Sequence, residues 1–351
     1  MKELSTSRTL MPFLFSLLAI VFAFLVGAIF LWLLGKEPLA AYSILISRGL
    51  GTTLGISETL VKMAPLLIVS AGLLIALKAS VWNIGIDGQF LVGAALVGVV
   101  APMLAGNIPL VPLLIISALV GFAGGMLWGV VPAVLKVRYG LNEIITTIMM
   151  NFVAIFTTSW LVKGPFKDPS VVAPQMPTIP REFRLPALPA FNRVHVGILV
   201  GIVAVLLVYF LFRSGTLGFK LSVLGQSKKA AIHAGLRVNM LTVLALLLSA
   251  GMAGLAGAND VLGVKGLFQG EWNPQYGLTA FALVFLARLN GLLVIPFAFF
   301  FAFLLFGGEM MARTAKIPAF YVPMLEGLIL IFFAISMYFE RKYLDRSESV
   351  G

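Results

Sequence analysis

Cysteine is absent from this 351-residue chain, which excludes disulfides, thiolate metal sites and a cysteine nucleophile and leaves the redox compartment unmarked. Histidine is scarce. His195 and His233 lie far apart, on opposite sides of the topology argued below, so no two-histidine metal site is expected. Charged residues make up only 11% of the chain, against about 25% in soluble domains. No Ser/His/Asp constellation and no G-x-x-x-x-G-K-[ST] phosphate loop occurs, so ATP hydrolysis by that route is excluded and a membrane-embedded enzyme is unsupported. What is present is apolar, at 60% of residues and a mean hydropathy of +1.05. The chain is an integral membrane protein.

Apolar windows near the roughly 20 residues needed to cross a bilayer recur from end to end. They predict spans at 10–34, 57–77, 83–104, 110–135, 142–162, 195–212, 241–262, 276–295, 296–312 and 321–339. The expected fold is therefore all-α, one polytopic transmembrane domain over 1–351 with about ten transmembrane helices. The first run is longer than a signal-peptide core and lacks a small-residue cleavage site, so it reads as an uncleaved span. Ten crossings place both termini on one side. If that side is cytoplasmic it holds 14 Lys and Arg against 11 opposite, and five of the 11 lie in one long loop, which leaves six in the short connections. The net charge of +11 thus follows from topology rather than from nucleic-acid binding.

The long loop, 163–194, contains Pro165, Pro169, Pro174, Pro177, Pro180, Pro186 and Pro189, too many for a helix or a central strand. It is expected to be extracytoplasmic and extended, as a tether or a docking surface. Five spans on either side of it would form inverted five-helix repeats. Slight support comes from a Trp-Asn pair at Trp82 and at Trp272, each followed by polar, Gly-containing sequence.

Two polar sets interrupt the spans. "VWNIGIDGQF" places Asn83, Asp87 and Gln89 among Gly85 and Gly88, where a Gly-broken helix end can line a polar path; the alternative is an interfacial turn with Asp87 paired to Lys78. "NEIITTIMMNF" supplies Asn142, Glu143, Thr147 and Asn151. Thr147 and Asn151 are four apart and share one helix face, for use as interhelical glue or toward a solute. "LLLSAGMAGLAGAND" is nearly without side-chain bulk and reads as a close-packing helix. Glu326 is the other deep carboxylate, with pairing and transport equally open.

Between spans six and seven, in the basic 213–240 loop, lies "GQSKKAAIHAG". Ser227 can cap a helix from Lys228 to Ala234, with Gly235 as the left-handed terminator. Such a helix is too short to be stable alone. Ala230, Ala231 and Ala234 give it a bare flank against which another protein could pack, whereas its lysines also suit anionic lipid.

Taken in order, "NIGIDGQFLVGAAL", "NEIITTIMMNF", "LGQSKKAAIHAGLRV", "LLSAGMAGLAGAN" and "GLTAFALVFLARLNG" resemble the permease subunits of bacterial ABC importers for simple sugars, nucleosides and branched-chain amino acids, most closely the nucleoside and purine branch. Asp87 stands where that family commonly has Glu. The resemblance implies that Gly225, Gln226, Ala230, Ala231, Ala234 and Gly235 form a cytoplasmic coupling helix. It implies three protein partners: an ATP-binding subunit that carries the ATP, a second permease subunit, and an extracytoplasmic solute-binding protein. This chain would bind no cofactor itself. It would sit in the bacterial inner membrane and pass a small polar solute, a nucleoside or a simple sugar, along a path through Asn83, Asp87, Gln89, Asn142, Glu143, Thr147 and Asn151. The rival from another class is an ion-coupled secondary transporter using Asp87 and Glu326.

Overall fold

In a computed structural model, residues 2–189 and 193–348 are described, with side chains from 15 to 189 and from 193 to 340. The chain is all-helical as expected: α1 Lys2–Leu33, α2 Pro38–Gly49, α3 Thr53–Lys78, α4 Ile86–Leu104, α5 Leu110–Tyr139, α6 Glu143–Lys163, α7 Gly197–Ser214, α8 Thr216–Gln226, α9 Lys228–His233, α10 Val238–Asp260, α11 Tyr276–Leu286, α12 Val294–Ala315 and α13 Tyr321–Glu348. Local chemistry sets several of the ends. Pro38 opens α2 with its φ already helical. Asn142 caps α6 by accepting from Ile144 N–H at 2.9 Å, and Gly140 closes α5 at φ +69°.

Nine helices among the described residues are long and apolar enough to cross a membrane. The predicted span 276–295 is not one of them. There α11 has only 11 residues, Arg288 and Leu289 follow in left-handed conformation (φ 52° and 56°), and α12 begins at Val294. Pro296 does not mark the boundary because it sits in the first turn of α12, where a missing N–H costs nothing. The short helix α2 was not among the predicted elements.

The chain divides into two compact units, Met1–Thr59 with Phe303–Gly351, and Leu60–Ala302. In the first, α1 packs on α13. Tyr42 Oη donates to the Phe24 carbonyl at 2.7 Å and shares a hydrogen bond with Tyr321 Oη at 2.8 Å, while Phe22 stacks on Phe332. In the second, α10 packs against α4 and α5 through backbone. A Cβ on Gly254 would lie 2.1 Å from the Gly121 carbonyl oxygen, and one on Gly93 would lie 2.5 Å from Gly254 Cα. The small-residue sequence of α10 therefore acts in packing, as read.

The Pro-rich loop is irregular, with one 3-10 turn at Arg181–Phe183, and it does not hang free. Met176 N–H donates to the Phe268 carbonyl (2.9 Å), Ile179 N–H to Gly266 (2.8 Å) and Leu185 N–H to Leu262 (3.1 Å). Met176 and Ile179 are fully buried. A passive tether would show none of this; the loop is docked along residues 262–270.

Candidate functional site: two broken crossings and a short exposed helix

After α3 the chain turns through Ser80, held at φ 57°, and runs without helix until Gly85 caps α4. After α10 a five-residue π-helical stretch, Val261–Lys265, ends at Gly266 (φ +70°), and residues 266–275 again run without helix until α11. This second segment descends along α4. Phe268 packs where a Cβ on Gly98 would be, Trp272 and Tyr276 meet the edge of Phe90 at 5.7 and 5.6 Å, and Gly277 N–H donates to Asp87 Oδ1 at 2.8 Å. From Gly98 to Asp87 is 11 residues of helix, about 16 Å, and α11 adds a further ~16 Å. Together they match the ~30 Å hydrocarbon core. The tenth crossing is thus built half from non-helical, turn-containing chain and half from helix. Non-helical backbone at that depth is tolerated where protein buries it or where it lines a polar cavity, and such breaks mark solute sites in transporters.

The two breaks are reciprocal. In each a Trp-Asn pair stands four residues before a helix start, and each Trp packs on the other helix: Trp82 stacks on Phe281 at 6.4 Å, and Trp272 meets Phe90.

Most of the polar residues singled out in sequence converge here. Asn83, fully buried, donates through Nδ2 to Gln89 Oε1 (2.8 Å) and Ser249 Oγ (3.0 Å), and its Oδ1 accepts from Gln89 Nε2 (2.9 Å) and Gly85 N–H (3.2 Å). Asn151 Oδ1 accepts from Gly88 N–H and its Nδ2 donates to the Ile84 carbonyl, both at 2.8 Å. Thr147 Oγ1 accepts from Ile84 N–H and donates to the Glu143 carbonyl. These side chains satisfy the backbone that the break frees, which is the glue role. Asp87 is half-buried and accepts from Gly277, not from Lys78, whose ammonium lies over the Phe212 ring. The Glu143 carboxylate pairs with Lys136 at 2.5 Å and the Asn142 side chain caps α6, so neither side chain bonds to the Asn83 cluster, although the Glu143 carbonyl accepts from Thr147. Glu326 belongs to the other unit.

Sequence reasoning missed Asp260. It is buried at the end of α10, where the charges of Lys62 and Lys265 both act on it. Residues 266–275 were missed as well, although Gly266, Gly270 and Pro274 signalled the break. Next to the π-helical stretch, His195 is wedged between Gly197 and Gly263, and burial pushes its imidazole pKa down to about 4.

At the far end of the sequence argument, Ser227 caps α9 by accepting from Ala230 N–H at 3.2 Å, and Gly235 terminates it at φ +72°. Ala231 corrects the expected flank. It is fully buried and keys α9 into its own chain, so the bare surface consists of Ala230 and Ala234 beside exposed Ile232. Gln226 is exposed; a Cβ on Gly225 would lie 2.1 Å from the Lys78 carbonyl oxygen, so the end of α8 rests directly on the end of α3.

A polytopic membrane protein with interrupted helices and a short capped helix outside its spans is the class these features define. The chain belongs to the family described as branched-chain amino acid transport system / permease component, whose pattern matches residues 55–334. It is 31% identical over 334 residues to the glucose ABC transporter permease protein TsgB13 of Haloferax volcanii, covering 92% of this chain and 87% of that one. It is 28% identical to the guanosine ABC transporter permease protein NupP of Bacillus subtilis, over 94% of this chain and 95% of that one. It is also 28% identical to the nucleoside ABC transporter permease protein NupB of Lactococcus lactis, over 95% and 93%.

Proposed function

We propose that this chain is the translocation subunit of an ATP-driven importer in a cytoplasmic membrane, moving a nucleoside inward from an extracytoplasmic binding protein. It binds no nucleotide and catalyses no reaction; a separate ATP-binding subunit supplies hydrolysis, and a second permease subunit completes the channel. Both termini and α9 face the cytoplasm, and the Pro-rich loop faces outward, in keeping with the loop-charge bias. ATP and the loaded binding protein must favour different conformations, since a ligand bound equally in both shifts nothing. The two broken crossings and their hydrogen-bonded side chains, Asp87 and Asn151 among them, form the part of the path that rearranges.

The observation that carries this reading is α9. Six residues cannot hold a helix alone, yet this one is capped at both ends and pinned by Ala231, with small residues left outward. That geometry suits packing against a partner's groove. Ala230→Trp places an indole on the outward flank and leaves the chain's own packing intact; overpacking a close interface costs about 1–3 kcal/mol or more. The ATPase subunit should then co-purify weakly and solute-stimulated ATP hydrolysis should fall. Lys228→Ala with Lys229→Ala should change little. The reverse pattern would mean that α9 binds lipid. Similarity to the Haloferax glucose permease favours a sugar as the second reading, and uptake of labelled guanosine against glucose by the reconstituted complex separates the two.

A further inference from the structure

Beside the descending segment lies a cavity of about 250 Å³, walled by α4, the last two turns of α6 and residues 268–273. Its apolar walls include Phe156 and Trp272, and its polar ones Ser159, Gln269 and Asn273. Phe156 is 73% exposed, whereas Trp272 is fixed by Phe90, Phe268 and the Lys265 ammonium 5.4 Å from its ring centre. Lys163 and Glu271, both lining the cavity, pair at 3.2 Å and are exposed to solvent. Glu271 and Gln275 are held at φ 63° and 57°, in the left-handed region that non-glycine residues avoid. Backbone strain of this kind persists only where its surroundings fix it and gathers at ligand sites.

We propose that this cavity is a solute subsite on the permease itself, taking the planar base of a nucleoside between Phe156 and the Trp272 edge, with Gln269, Ser159 and Asn273 bonding its polar rim and the Lys163–Glu271 pair standing at its mouth. The proposal rests on the nucleoside reading above. Volume and chemistry agree: the space holds one small ring system and is smaller than the ~300–1,000 Å³ of drug-sized sites. Stacking on aromatic rings tolerates any base, and the amide and hydroxyl groups give the edge its orientation. The site lies at the start of the non-helical half-crossing, so a solute released to the permease at the end bearing the Pro-rich loop meets it before the Asn83 network.

The test uses the full reconstituted complex. Photoactivated 8-azidoguanosine should label peptides from α6 or 268–273, in competition with guanosine, and Phe156→Ala should abolish the labelling and raise the uptake KM for guanosine about tenfold or more. Gln269→Ala should also raise KM, and Leu127→Ala, on an exposed face of α5, should do neither. Phe156 is exposed, so its variant is expected to fold; an unchanged unfolding midpoint confirms it. Guanosine uptake with label confined to other segments, or with wild-type KM in both cavity variants, overturns the subsite and leaves the nucleoside reading standing. A wild-type complex that imports glucose and not guanosine overturns both.

Discussion

Asn83→Leu separates scaffold from path. The leucine has the same number of side-chain heavy atoms as asparagine but removes four hydrogen bonds, leaving Gln89 Oε1, Gln89 Nε2, Ser249 Oγ and Gly85 N–H without their partner in a fully buried place. Each buried group left unpaired costs about 1–3 kcal/mol. Four of them, with partial relaxation, give a loss of about 4–8 kcal/mol, a large share of the ~5–15 kcal/mol that typically stabilises a fold. Replacing both amides should restore part of it. In Asn83→Leu with Gln89→Met the two main unpaired groups vanish together, so the double variant should be more stable than the sum of the single changes predicts, by roughly 1–3 kcal/mol. The assay is equilibrium unfolding of the purified chain in mixed micelles, followed by tryptophan fluorescence and run beside solute uptake. If Asn83→Leu kept wild-type stability while uptake was lost, the residue would act on the solute and the scaffold argument would fail.

Gly254→Val should prevent stable assembly of α4, α5 and α10, since even its Cβ would lie 2.1 Å from a backbone oxygen that no rotamer change can move; monodisperse expression at wild-type yield would refute this. His195 carries a sign-definite pH effect. Its pKa falls from 6.5 to about 4 on burial, so the unfolded chain binds the extra proton between those values, and stability is full above pH 6.5 and declines toward pH 4. The loss is about 3 kcal/mol. His195→Gln should remove that increment, and identical acid profiles for the two proteins would exclude it.

Much of this protein is written in one dimension. Scarcity of charge and recurrent apolar windows determine a polytopic helical chain, because nothing but helices or closed barrels can satisfy a backbone in lipid. The α9 cap and terminator are equally legible: Ser227 and Gly235 act through bonds and torsions a few residues away. Thr147 and Asn151 could be assigned to one helix face for the same reason, that helical spacing is local. Tertiary structure alone decided what those faces meet. Hydropathy cannot tell the 11-residue α11 and the turn after it from a continuous span, since leucines fill both; only α4, against which 268–277 packs, makes the non-helical lead-in with its Gln269, Glu271 and Asn273 tolerable. Ala230 and Ala231 are identical letters side by side, and the hundred-degree turn between them puts one outside and the other in the core. Asp87 finds Gly277, 190 residues away, instead of the nearby Lys78, because the two broken helices begin at the same place and a backbone N–H there has no other partner.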